Sequence, residues 1–159
     1  MGSSLVMFEE ELKEISDIIE RLLRDSNAKS VYLVDKDGQL ISSSGDTRDI
    51  DSTSLASLTA GNIAATGGLA KLIGEKEFSI LFHEGEKDNI HISIVGQRVI
   101  LVVIFDERSS LGLVRLRVRR ASEELTNCLD KILKRVESST AKESLLEEIT
   151  DEDIENLFH

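Results

Sequence analysis

The chain has 159 residues, of which 40% are hydrophobic, enough for one domain with a single core and a short appendage. Its formal net charge of −11 argues against nucleic acid and anionic membrane surfaces as partners. No apolar run approaches the ~18 residues that span a bilayer, and the opening MGSSLVMFEE lacks the basic and apolar regions of a secretory signal and has Val6 where a myristoylation signal needs Ser or Thr, so a cytoplasmic protein without membrane insertion is expected.

Leu5, Phe8, Leu12, Ile15, Ile19 and Leu22 or Leu23 recur every three or four residues, which predicts an amphipathic helix over 4–25. Two β-branched runs, 30–34 and 39–43, flank Asp37-Gly38, a hairpin turn in which Gly supplies the positive φ. Asp35-x-Asp37-Gly38 also opens like a calcium loop. However, Leu40 stands where that loop needs its Gly and Asp46 where it needs a bidentate Glu, so it reads as turn chemistry.

Residues 51–74 read as one helix, capped by Asp51 or Ser52 and ended by Gly74. Leu55, Leu58, Ala65, Leu69, Leu72 and Ile73 gather on one side, which is expected to pack on a sheet. Ser57, Ala60, Gly61, Ala64 and Gly68 form a second stripe, almost without side chains, that ends at Lys71. Gly inside a helix costs roughly 1 kcal/mol against Ala, and this helix carries Gly61, Gly67 and Gly68. Something must therefore approach its backbone closely: either a neighbouring element of the same fold or another chain.

Residues 78–83 form a short apolar strand, and 90–95 alternate with Ile90, Ile92 and Ile94 on one face. Gly96-Gln97 turns into VILVVIF, 99–105, whose unbroken apolar run predicts a central strand covered on both faces. A last helix starts near Ser109 or Ser110 and buries Val114, Val118, Ala121, Leu125, Cys128, Ile132 and Val136. Cys128, the only cysteine, reads as a small buried hydrophobe, and Arg115, Arg117, Arg119, Arg120 and Lys131 as a solvated face. The element order α, β-β, α, β-β-β, α predicts an α+β, three-layer α/β/α sandwich with a five-stranded antiparallel sheet over 1–137.

The remaining segment, 138–159, reads as a flexible acidic tail opened by Ser138-Ser-Thr-Ala. Its Leu145, Leu146, Ile149, Ile154, Leu157 and Phe158 are unusual for a solvated tail. Thr150 is placed to cap a short amphipathic helix, so the tail is read as a partner-docking segment or as one that packs back on the domain or stays disordered.

No phosphate loop, dinucleotide fingerprint or nucleophile elbow is present, and His83, His91 and His159 have no partners at zinc spacing. No catalytic residue, metal or cofactor is expected. An edge position for 78–82 would leave backbone groups unpaired, and pairing with a second copy would cover them. Phe78, Ile80, Phe82 and Gly67 are thus the expected contacts of a two-fold homodimer with a continuous sheet.

VYLVDKDGQLIS (31–42), DSTSLASLTAGNIAATGGLAKLIGE (51–75), VILVVIFDERSSLGLVRLR (99–117) and ITDEDIENLF (149–158) together resemble the Roadblock domain family, most of all its bacterial MglB-like branch. The resemblance implies a homodimer that binds a small Ras-like GTPase of the MglA type, two copies per GTPase. It implies activation of GTP hydrolysis by remodelling the GTPase rather than by an arginine finger, in the service of cell polarity and gliding motility, with concentration at a cell pole. Carried over by position, Ser57, Ala60, Gly61, Ala64, Gly68 and Lys71 would contact the GTPase, and Ile149, Ile154, Leu157 and Phe158 would form a C-terminal contact. Arg115, Arg117, Arg119 and Arg120 are the residues from which a finger would come if there were one. The alternative implied by other Roadblock proteins is a non-catalytic scaffold that tethers a GTPase or motor complex.

Overall fold

The computed structural model describes the backbone from Gly2 to Phe158 and the side chains from Glu9 to Ser138. The chain runs α1 (Gly2–Ser26), β1 (Ser30–Asp35), β2 (Leu40–Gly45), α2 (Ser52–Leu72), β3 (Ile80–Glu84), β4 (Asn89–Val95), β5 (Val99–Phe105) and α3 (Leu111–Phe158). The β1–β2 turn closes because the Asp35 carboxylate accepts from the Asp37 and Gln39 amides at 2.9 and 3.0 Å, while Gly38 takes φ +92°. The β4–β5 turn has both Gly96 and Gln97 at positive φ, 60° and 61°, the combination a tight two-residue hairpin needs.

The five strands form one antiparallel sheet in the order β2-β1-β5-β4-β3. All seven residues of β5 are buried, as expected of its unbroken apolar run. Alternation then divides the core. Val31, Leu33, Val95, Leu101, Val103 and Phe105 pack beneath α1 and α3. Tyr32, Val34, Ile92, Ile100, Val102 and Ile104 pack on the other face with Ala56 of α2. Three layers result, with α2 alone on its side.

α1 buries Ile15, Ile18, Ile19 and Leu22. Leu12, expected on that face, is 47% exposed, because the buried row runs through Glu11, Ile15, Ile18 and Leu22 and leaves Leu12 at its margin. Leu5 and Phe8 lie outside the described side chains. Glu11 is buried and meets Arg135 Nη1 at 2.8 Å. With Arg21–Glu124 at 2.9 Å and Lys131–Glu14 at 3.7 Å, it ties α1 to α3, so Lys131 does more than face solvent.

α3 starts at Leu111, with Leu113 N donating to Ser110 Oγ, and buries Val114, Val118, Ala121, Leu125 and Cys128. Val136, expected in that row, is exposed. The helix continues across Ser138-Ser-Thr-Ala to Phe158, while Ile149, Ile154, Leu157 and Phe158 lie outside the described side chains.

Candidate functional site

α2 begins at Asp51, whose carboxylate accepts from Ser54 N at 3.2 Å and Ser54 Oγ at 2.8 Å. Those two bonds hold the Asp51 carboxyl below its ordinary range. From there the helix presents three stripes, about 120° apart at 100° per residue.

The first stripe lies on the sheet and differs from the expected one. Ala56, Thr59 and Ala70 are buried, with Leu55 and Ile63 partly buried beside them. Leu58, Leu69, Leu72 and Ile73, expected there, are 73%, 58%, 82% and 69% exposed, and Ala65 is exposed too. Small residues are what allow α2 to sit close over β1. The larger leucines are turned about 115° away, on the flank toward β3, where Asn62 Nδ2 and His83 Nε2 hydrogen-bond at 3.2 Å.

The second stripe is the small-residue row. Ser57, Gly61, Ala64, Gly68 and Lys71 are exposed and Ala60 is half-buried. A Cβ added at Gly61, Gly67 or Gly68 would meet nothing within 4 Å, so no element among the described residues presses on them. Of the two explanations for these glycines, the internal contact is not made by any of the described residues. The stripe borders a shallow groove of about 410 Å³, whose far wall is Lys36 and Glu77, paired at 4.0 Å. At its N-terminal end Gly38 takes φ +92°, which favours glycine, and a Cβ there would be in ordinary contact with α2, 3.4 Å from Ser57 Cα and 3.6 Å from Ala60 Cβ.

The leucine flank is the third stripe, and the expected dimer residues bear on it. β3 is one of the sheet's two edge strands, β2 being the other. It starts at Ile80, two residues later than the apolar run indicates, leaving Phe78 half-buried ahead of it. Ile80 is 51% exposed, while Phe82 is half-buried and stacks on Phe105 with centroids 6.2 Å apart. Gly67 lines the Lys36–Glu77 groove together with Ala64 and Gly68.

Arg115, Arg119 and Arg120 are exposed on α3, across the sheet from α2, and Arg120 pairs with Glu124 at 3.5 Å. Among the described residues no three His, Cys, Asp or Glu side chains gather as a metal cluster, and no helix is long and apolar enough to cross a membrane.

Comparison with known proteins gives a consistent pattern. The profile of the Roadblock/LC7 domain matches residues 14–105. The structure of Myxococcus xanthus MglB is 63% identical, with a TM-score of 0.75 over 77% of this chain and 92% of that one. The Thermus thermophilus gliding protein MglB is 33% identical, with a TM-score of 0.73 over 76% and 92%. An MglB structure with a tetrameric arrangement is 31% identical, with a TM-score of 0.73 over 77% and 92%. No curated protein sequence matches.

Proposed function

The chain belongs to the Roadblock/LC7 family, and from that premise we propose that it regulates a small Ras-like GTPase of the MglA type, acting as a homodimer that accelerates GTP hydrolysis. The observation that carries this reading is the small-residue stripe of α2. Gly61 and Gly68 weaken the helix and receive no compensating contact among the described residues, which supports a second protein as what their bare backbone serves. The high identity to an MglB over nearly all of that protein's length supports the same partner class.

The dimer follows from the other flank of α2. Leu58, Leu69, Leu72 and Ile73 lie toward the free β3 edge, where Ile80 is also exposed. β3–β3 pairing of two copies would complete the edge and cover this apolar flank in one step. Phe78, Ile80 and Phe82 would lie at that seam, and the small-residue stripes would face outward on the α2 side of one continuous sheet. A GTPase seated there would meet Ser57, Ala60, Gly61, Ala64, Gly68 and Lys71 from two copies.

Catalysis belongs to the GTPase. Phosphoryl transfer is accelerated chiefly by positioning and by stabilising charge on the transferred group. A rigid helical platform supplies positioning by holding the GTPase's own Arg and Gln against phosphate and attacking water. The α3 arginines stand on the opposite side of the sheet from the stripe, which supports a mechanism without an arginine finger. Residues 138–159 would form a tail whose Ile149, Ile154, Leu157 and Phe158 make a second contact with the GTPase.

Single-turnover hydrolysis by an MglA-type GTPase, with and without this protein, tests the proposal. The expected result is acceleration by the native chain and none by Ala64→Arg or Gly68→Arg, both of which fold normally because the sites are exposed. Binding without acceleration would identify a scaffold instead, and intact acceleration by both variants would refute the assignment of the face.

A further inference from the structure

The α1/α3 face of the sheet is not covered out to its β3 edge. Between the flank of α3 and strands β3 and β4 lies an open groove of about 790 Å³, within the range of sites that take a sizeable ligand. His91 and Ser93 line it from β4 and are only 1% and 5% exposed. Neither ring nitrogen of His91 nor Ser93 Oγ has a hydrogen-bond partner among the described residues. Buried polar groups left unpaired cost free energy, and two side by side in one cavity mark a place built for a polar ligand.

The α3 wall supplies charge. Arg115 and Arg119, one helical turn apart, line the groove, and neither forms an ion pair among the described residues. Glu123 is the one acid among the lining residues. In a chain of net charge −11 this is a local cationic patch, and Ile80, Val95 and Val118 give it an apolar component. Burial, and then the Arg115 charge, holds the His91 imidazole below its ordinary range. An acidic, partly apolar segment matches this lining.

We propose that the groove binds the C-terminal segment, residues 139–159, of a second copy of this chain. The segment carries seven acids against the single Lys142, and bears Leu157 and Phe158 just before His159. Its carboxylates would meet Arg115, Arg119, His91 and Ser93, while its apolar residues would rest on Ile80, Val95 and Val118. The same copy is excluded as the source, because α3 carries Phe158 about 60 Å along the helix beyond Val118. Docking of this kind links copies tail to groove, and it holds the tail away from any other partner. The proposal stands independently of the GTPase reading.

The test is fluorescence anisotropy of a dye-labelled synthetic peptide of residues 139–159 titrated with the full chain, no GTPase being present. Saturable binding is expected. Arg115→Glu combined with Arg119→Glu should weaken it at least tenfold, and a peptide with Glu147→Lys, Glu148→Lys, Asp151→Lys and Glu152→Lys should restore binding to that variant. Ser122→Trp, which fills the groove without changing charge, should also weaken the native peptide at least tenfold, and circular dichroism checks that each variant folds. In NMR titrations the bound peptide should raise the His91 pKa. The proposal is overturned by absent binding, by a scrambled peptide binding equally well, or by native affinity in both groove variants. A His91 signal that answers to inorganic phosphate but not to the peptide would make the groove a small-anion site and overturn it as well.

Discussion

Replacing Gly61 and Gly68 together by alanine separates the two roles a glycine can have in a helix. If the glycines accommodate a neighbour inside the fold, a methyl group at either site clashes and the protein loses stability. The structure shows open space at both: an added Cβ meets no atom within 4 Å at either position. Only the intrinsic term then remains, and Gly→Ala in a helix gains roughly 1 kcal/mol per site through reduced backbone entropy of the unfolded chain and better helix propensity. The double variant should be more stable by about 2 kcal/mol, or roughly 4–8 °C in Tm for a domain of this size. Urea and thermal melts followed by circular dichroism, at one fixed protein concentration because dimerisation contributes to apparent stability, give the number. The same variant should bind the GTPase more weakly, since two methyl groups stand where backbone is approached. A loss of stability would place an unseen contact on the stripe. A gain in stability with undiminished GTPase binding would mean that the bare backbone is not what the partner uses.

Three further outcomes follow from individual side chains. Leu69→Glu with Leu72→Glu should leave the far-UV spectrum unchanged, because both side chains are exposed in the single chain, yet weaken dimerisation by at least about tenfold, each buried Leu being worth roughly 1.5–3 kcal/mol; sedimentation velocity reads the effect. His91 is held below its ordinary value by burial, so as pH drops through ~6.5 the unfolded chain takes up a proton that the folded chain refuses, and stability falls. That contribution is full above the unfolded value, and His91→Gln should flatten stability against pH between about 7 and 5 by at most about one proton. Cys128 is buried, donates to the Glu11 carbonyl at 3.6 Å, and has its thiol pushed up to about 11, mainly by desolvation. Alkylation at neutral pH should therefore be negligible in the native protein and appear together with global unfolding.

Periodicity makes the layers legible where a strand or helix buries its apolar residues within its own chain. The seven residues of β5 show it most plainly, since an unbroken apolar run has no face left for solvent. The same logic misplaces α2. Its leucines satisfy an amphipathic pattern, but Ala56, Thr59 and Ala70 are the residues that meet the sheet, and the leucines stay exposed on one chain. A hydrophobic pattern records burial in the working assembly, and a single chain does not hold every surface that assembly covers. The small-residue stripe was legible for a related reason: glycines that weaken a helix point to a close neighbour, and the open space at Gly61 and Gly68 shows that none of the described residues is that neighbour. His91 and Ser93 were hidden by the alternation of β4, which assigns Ile90, Ile92 and Ile94 to the core and the residues between them to solvent. β4 lies between β5 and β3, with α3 also reaching its other face, so the polar residues are buried as well. The sequence signal for them is polar residues on a strand adjacent to a fully apolar one.

The central claim is that two copies together make the α2 platform on which the GTPase sits. Mass measurement by sedimentation equilibrium, on the protein alone and with a GTPase held in its GTP state, addresses it most directly. The free protein should have twice the 17.6 kDa chain mass, the complex should contain two copies per GTPase, and the Leu69→Glu, Leu72→Glu chain should be monomeric and fail to bind. A single copy that forms a stable one-to-one complex with the GTPase would contradict the account.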